Sequence, residues 1–331
     1  MLAALMWIGT LFALAAGLMW GLVFIAPSLL PEYPAALLSF GRYLAFGLIA
    51  LPLAWLDRQR LAQLTRDDWI EAAKLAAIGN IVYYLFLASA IQRAGGPLPT
   101  VIIGTLPVVI AVVSNHRNAQ RDGRLPWRRL LPSLLLIGAG IACVNQVELQ
   151  RLQGQADVDL ARYGLGALLA IGAVVCWTWY PLRNADWLRA HADRHPRSWA
   201  TAQGLMTLPL AVVGYAALWL WGSTQAGQAA LSVPLPAGPT PERYVAMMLT
   251  IGLLASWVGT LCWNEASQRL PTSLAGQLIV FETLSALAYA LLLRGEAPAG
   301  WTLFGVGLLV VGVLQALRVR PEPARPSPAS P

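Results

Sequence analysis

CWNEASQRLPTSLAGQLIVFETLSALAYALLLRGEAPAGWTLFGVGLLVVGVL, residues 262–314, holds two long apolar runs separated by the polar segment RGEAPAG at 294–300. Each run is close to the ~20 residues that a helix needs to cross roughly 30 Å of hydrocarbon. Upstream, a polar span end, WNEASQR, turns through QRLPT at 268–272, the tightest hairpin in the chain. The unit is therefore span, hairpin, span, polar break, span, and it sets the pattern for the rest.

Working outward, the same alternation places spans near residues 7–28, 34–56, 69–91, 97–115, 129–147, 163–182, 199–221, 243–267, 272–292 and 299–317. Hydrophobic residues fill 57% of the 331 positions and charged residues only 12%, about half the charged share of a soluble domain. The expected fold is all-α and integral to a lipid bilayer. The net charge of +7 does not point to nucleic acid, because the basic residues recur in short loops and form no domain-sized patch. The first apolar run continues past the length of a signal peptide's core and reads as a retained span. The tail PEPARPSPASP, in the stretch 318–331, has a composition that cannot build a core and reads as disordered.

The loops carry a strong charge bias. With the N-terminus in the cytoplasm, that side holds Arg58, Arg60, Arg66, Arg117, Arg121, Arg124, Arg128, Arg129, Arg183, Arg189, Arg194, Arg197, Arg269, Arg318, Arg320 and Arg325. The opposite side then holds Arg93, Arg151, Arg162, Arg243 and Arg294. The positive-inside rule predicts both termini in the cytoplasm. Trp7, Trp55, Trp69, Trp127, Trp199, Trp219, Trp221 and Trp301 fall near span ends, where indoles anchor in the interface.

An internal repeat runs through this pattern. ASAIQR at 88–93 aligns with NEASQR at 264–269, which pairs Ala90 with Ala266 and Gln92-Arg93 with Gln268-Arg269; in the same order, Trp20 pairs with Trp177, Trp127 with Trp301 and Gly138 with Gly312. An odd number of spans per copy makes the second copy enter from the other face. The prediction is ten transmembrane helices as two inverted five-helix repeats, 1–147 and 163–317, joined by an external linker at 148–162. Inverted repeats suit alternating access around a midplane site.

At this point the chain resembles the EamA-type drug/metabolite transporter superfamily. The resemblance rests on residues 262–314: the polar span end, the tight hairpin, a ninth span ending in Gly295-Glu296 and a glycine-spaced tenth span. It implies export or exchange of small metabolites through a cavity lined mainly by spans 1, 3, 4, 6, 8 and 9, in a bacterial inner membrane. Two departures stand out. The first half carries NHRNAQRDGRLPWRR where the family has a Gly-Glu ending. Pro107 in span four is matched by Thr283 in span nine, so span nine is expected to lack the kink and to present Glu282.

Glu282 lies near the middle of its span, where a charge costs on the order of 3 kcal/mol. It should face the protein interior, where desolvation disfavours the charged form and lets the group take and release a proton. If protons drive transport, it reads as the coupling residue; the alternative is a structural carboxyl that stays protonated or hydrogen-bonded. Arg42, about two turns into span two, has two readings: it snorkels to the interface, or it is a counter-charge for a substrate carboxylate or for Glu282. Trp20 and Trp177, at matching depths in spans one and six, read as apolar walls for a flat or cationic solute. Tyr84, Tyr180, Trp263 and Phe281 are further aromatic candidates. Asn80, Thr105, Asn264 and Gln277 could supply oriented hydrogen bonds, or could join helices to one another. Trp20, Gln277 and Trp177 are expected around one midplane cavity.

The function this reading supports is secondary transport of a small amphipathic metabolite, an amino acid or aromatic compound. A nucleotide-sugar or lipid-linked sugar carrier would need several deep basic residues for phosphate, and only Arg42 qualifies. An intramembrane enzyme would need a catalytic constellation, yet His116, His191 and His195 lie in loops and no HExxH motif occurs. Cys143, Cys176 and Cys262 have no metal-ligand spacing, and no Walker motif is present. No cofactor or metal is expected. The partners are a small-molecule substrate and the bilayer, with Gly305 and Gly312 of the tenth span offering a homodimer surface.

Overall fold

The computed structural model describes residues 2–95, 97–117, 126–153, 159–295, 297–319 and 322. Its helices are α1 (Leu2–Leu29), α2 (Ala35–Leu56), α3 (Arg66–Ala94), α4 (Pro97–Ile103 and Leu106–Arg117), α5 (Trp127–Gln153), α6 (Leu160–Ala190), α7 (Pro196–Gly222), α8 (Pro241–Arg269), α9 (Thr272–Leu278 and Val280–Arg294) and α10 (Gly300–Leu317). Seven helices, α1 to α3 and α6 to α9, are long and apolar enough to cross a membrane. Helix α10 is as apolar but shorter, α4 is broken in two, and α5 carries Arg128 and Arg129 in its first turn. No β-strand runs through the described residues. Large apolar side chains such as Leu11, Leu168, Val213 and Leu303 face outward, the pattern of a protein whose solvent is lipid.

Local signals explain the helix starts. Thr65 and Asp68 form a capping box at the start of α3, each side chain meeting the other's backbone N–H. Pro196 opens α7, where its missing N–H costs nothing.

Several expectations need correcting. Helix α6 does not end near 182 but runs to Ala190, so Arg183 and Arg189 project from a helix and not from a loop. Helix α5 continues to Gln153, into the stretch expected to be a linker; residues 154–158 and most of the tail at 318–331 lie outside the described residues. Helix α9 is interrupted at Ile279 without any proline. There the Glu282 N–H bonds to the Ile279 carbonyl at 2.9 Å, a tightened turn in place of a proline kink.

The two halves of the chain share local devices at matching positions. Helices α3 and α8 each widen into a π-helical segment, Leu75–Val82 and Gly252–Val258. The break before Leu106 in α4 matches the break at Ile279 in α9. The guanidinium of Arg93 donates to the Ser89 carbonyl and that of Arg269 to the Glu265 carbonyl. Packing follows suit: α2 lies on α7, α4 on α9, α5 on α10, α1 on α8 and α9, and α6 on α3 and α4. Exchanging the first five helices for the last five maps this set of neighbours onto itself.

Candidate functional site

The buried centre of the bundle is built on Arg42 and Glu282. Arg42 does not snorkel. Its residue is 5% exposed, its Nε donates to the Ser256 hydroxyl at 2.9 Å, and its guanidinium lies 4.9 and 4.7 Å from the Tyr43 and Tyr84 rings. Two aromatic faces thus hold the cation without a carboxylate in contact. Ser256 belongs to the π segment of α8, and the close approach of α8 to α2 depends on Gly252, where a Cβ would stand 2.9 Å from that of Ala45.

Glu282 is 2% exposed and sits in the first turn of the longer piece of α9. Neither Glu282 Oε2 nor Trp177 Nε1 completes a hydrogen bond. The position of Glu282 is fixed from α1: a Cβ on Gly17 would lie 3.1 Å from the Glu282 nitrogen and from the Phe281 ring.

The aromatic residues of the repeat meet here. Trp20 and Trp177 contact edge to face at 5.0 Å, Tyr83 and Tyr180 stack on Trp177 at 4.5 and 5.1 Å, and Trp263 leans on Trp20 at 5.2 Å. Around this box, Arg42 Nη1, the Tyr83 hydroxyl, Asn80 Nδ2 and Trp263 Nε1 are also buried without a hydrogen-bond partner. A buried polar group left unpaired costs about 1–3 kcal/mol.

Other candidates lie apart from this box. Asn264 is satisfied: it accepts from Asn184 at 2.8 Å and donates to the Pro196 carbonyl at 3.2 Å. It ends a chain in which the Tyr180 hydroxyl donates to Gln203, Gln203 donates to Asn184, and the Trp199 indole donates to the same Asn184 oxygen. Trp199 is therefore no interfacial anchor. It is 1% exposed and stacks on Trp187 at 3.4 Å. Gln277 turns toward α5, accepting from Ser133 at 3.2 Å. Phe281 packs against α1. Thr105 is exposed at the break in α4, with its hydroxyl on the Ile102 carbonyl at 2.7 Å. Ser256 and Gln203 join the centre with nothing in the sequence to single them out, since serine and glutamine occur throughout the spans, whereas Tyr83 is one of the aromatics that the sequence places within spans and away from the interfacial belts.

The family model for EamA-like transporters matches residues 7–121, and the inner membrane protein YtfF of Escherichia coli K12 is 55% identical over 95% of this chain and 96% of its own length. The chain belongs to the EamA-like transporter family. It is an integral membrane protein of all-helical fold, as the family resemblance implied, although the matched region lies in the half that lacks the family's Gly-Glu ending. A solved structure described only as a protein crystal structure shares the fold across 93% of this chain and 96% of its own, with a TM-score of 0.67 at 18% identity. A Pseudomonas aeruginosa (strain LESB58) protein, the probable 4-amino-4-deoxy-L-arabinose-phosphoundecaprenol flippase subunit ArnF, is 33% identical, and 91% of its length matches 39% of this chain. That relative is therefore about the size of one half.

Proposed function

We propose that this EamA-family protein is a secondary transporter of the inner membrane that exports or exchanges a small amphipathic metabolite, an amino acid or an aromatic compound, by alternating access. The observation that carries the reading is the burial of one cation, Arg42, and one carboxyl, Glu282, at the centre of the bundle, each with an unpartnered polar atom, beside the box of Trp20, Trp177 and Tyr83. Arg42 suits a solute carboxylate and Glu282 an ammonium group, while the indoles and phenols suit an apolar or flat body. The two charges come from different halves of the chain. Relative movement of the halves would separate them.

The shared π segments, the matched helix breaks and the half-length relative support two inverted five-helix repeats, 1–147 and 163–317. The arginine bias supports cytoplasmic termini. Glu282 serves as the coupling residue when protons drive transport: it gives up its proton as a cationic group or Arg42 approaches, and regains it when the solute leaves. A carrier of phosphate-linked sugars fits less well, because Arg42 is the only buried basic side chain among the described residues. The test is transport by purified protein in liposomes, using labelled amino acids, aromatic amines and nucleotide sugars, with and without a pH gradient. Uptake of amino acids or aromatic compounds supports the reading. Uptake confined to nucleotide sugars overturns it.

A further inference from the structure

Away from the central box, a groove of about 600 Å³ opens on the outer surface between α3, α4 and α6. Its volume is in the range of small-molecule sites, about 300–1,000 Å³. The walls are Val109, Val113, Val174 and Leu182, and the adjoining Val175 and Val112 are exposed apolar residues of the lipid-facing surface. Lys74, Arg117 and Arg183 also line it. They lie toward the end of the bundle that holds the start of α1: Arg117 bonds Asp186 near the end of α6, Arg189 of the same helix end bonds the Ser267 carbonyl before the α8–α9 hairpin, and Gly9 of α1 packs against Arg269 and Leu270 of that hairpin. A hydrocarbon-filled slot with basic groups at one end has the polarity of a membrane lipid.

Two features separate this groove from a gap in packing. The Thr178 side chain lines it, is buried, and has no partner for its hydroxyl. The charges do not cancel: Arg183 is held by Glu71 at 2.5 and 3.1 Å, Arg117 by Asp186 at 2.6 Å, and Lys74 reaches only the already engaged Glu71, at 3.7 Å. Among the described groups of this cluster, three cations face two carboxylates. The surplus is one positive charge on a half-exposed lysine.

We propose that this groove binds an anionic glycerophospholipid from the leaflet on the N-terminal side, its phosphate near Lys74 and Arg117 and an acyl chain along Val109 and Val113. Lysine takes phosphate as a point charge with rotatable donors, so it can serve the headgroup without breaking the Glu71–Arg183 pair. The Thr178 hydroxyl meets an ester oxygen of the lipid, which a bare alkyl chain could not offer. This site stands whether or not the central box carries the solute proposed above.

Native mass spectrometry of the purified full-length protein reads binding without any transport assay. With equal phosphatidylglycerol and phosphatidylcholine added, the protein should retain one phosphatidylglycerol, at least five-fold over phosphatidylcholine. Lys74→Gln should reduce that preference to near parity. Val109→Trp should fill the slot and lower retention of both lipids at least five-fold; Thr178→Val keeps the side-chain shape and should cut phosphatidylglycerol retention at least two-fold, a second arm should the tryptophan variant not fold. Inorganic phosphate in excess should not displace the lipid. Equal retention of the two lipids by the unaltered protein, unchanged preference in Lys74→Gln, or displacement by inorganic phosphate, which would mark a free-anion site, each overturns the proposal. So does unchanged retention in Thr178→Val together with a folded Val109→Trp.

Discussion

The two ends of the bundle are closed by different sets of helices and by opposite chemistry. At the end holding the start of α1, Glu71 of α3 takes two bonds from Arg183 of α6, Asp57 pairs with Arg197 of α7 at 2.9 Å, and Asp68 accepts from the Trp187 indole at 2.7 Å. At the other end Tyr33 stacks on Tyr244 at 4.7 Å, and the Tyr244 hydroxyl donates to the Leu37 carbonyl and meets the Tyr215 hydroxyl at 2.8 Å. Asp68 and Tyr244 occupy matching positions of the repeat, early in α3 and in α8. The bundle is therefore latched with ions at one end and with neutral phenols at the other. The ionic end is also the arginine-rich end, the side that the positive-inside rule reads as cytoplasmic.

The largest expected effect lies between the two latches. Glu282→Gln keeps the side-chain shape and a neutral polar head, so both ends should remain closed and the protein should fold. Accumulation driven by a pH gradient in liposomes should fall at least ten-fold, while exchange of solute without a gradient continues. Full gradient-driven accumulation by the variant would leave Glu282 a structural carboxyl and would move coupling elsewhere.

Next in size is the ionic latch. Removing Arg183 leaves the buried Glu71 carboxylate with only the distant Lys74. Stranding one member of a buried pair costs about 3–5 kcal/mol, and the half-exposed position of Arg183 brings the expectation for Arg183→Ala to about 2–3 kcal/mol in unfolding from mixed micelles. Tyr244→Phe removes a hydroxyl but keeps the stack, and should cost about 1–2 kcal/mol. The two variants differ in salt response. Raising ionic strength from ~0.1 to ~1 M shortens the screening length from about 10 to 3 Å, so it should weaken the protein with its ionic latch intact and shrink the gap to Arg183→Ala. The Tyr244→Phe difference should stay constant. Equal salt sensitivity of both gaps would dissolve the contrast between the ends.

Much of this architecture was legible in the sequence, for a specific reason. Span length is written in apolar runs, and the pairs Gln92 with Gln268 and Trp20 with Trp177 survive as repeat landmarks because they do the same work twice. What stayed hidden is which face of a span is interior. In water an amphipathic stripe reveals that face; in lipid both faces are apolar, so Trp199 reads as an anchor although it is buried against Trp187, and Thr105 reads as a site residue although it lies on the surface. Arg183 and Arg189 suggested a loop because charge normally ends a span, yet each has a partner along the helix surface: Glu71 for Arg183, and the Ser267 and Leu270 carbonyls for Arg189. The Ser256 contact to Arg42 carries no sequence signature at all.

The smallest effect tests the repeat most directly. The Gln92 side chain donates to the Tyr33 carbonyl at 2.7 Å and accepts from the Ala35 N–H at 3.0 Å, clamping the connection between α1 and α2. At the matching place in the second half, Gln268 donates to the Arg194 carbonyl at 3.4 Å, on the connection between α6 and α7. Arg194 also bonds Gln63, beyond the far end of α2, so the two clamps sit at opposite ends of the bundle. The same device is thus used twice with its direction reversed, tightly at the tyrosine end and loosely at the ionic end. Two good bonds to backbone groups at the start of α2 contribute about 1–2 kcal/mol together, whereas one long bond contributes less than about 0.5 kcal/mol. Gln92→Ala should therefore destabilise by about 1–2 kcal/mol and Gln268→Ala by less than about 0.5 kcal/mol, and the double variant should show the sum, because the sites are far apart and share no partner. Unfolding in mixed micelles reads all three. A larger loss for Gln268→Ala would show that the ionic end depends on its clamp more than on its ion pairs, and the contrast between the two ends would have to be drawn the other way.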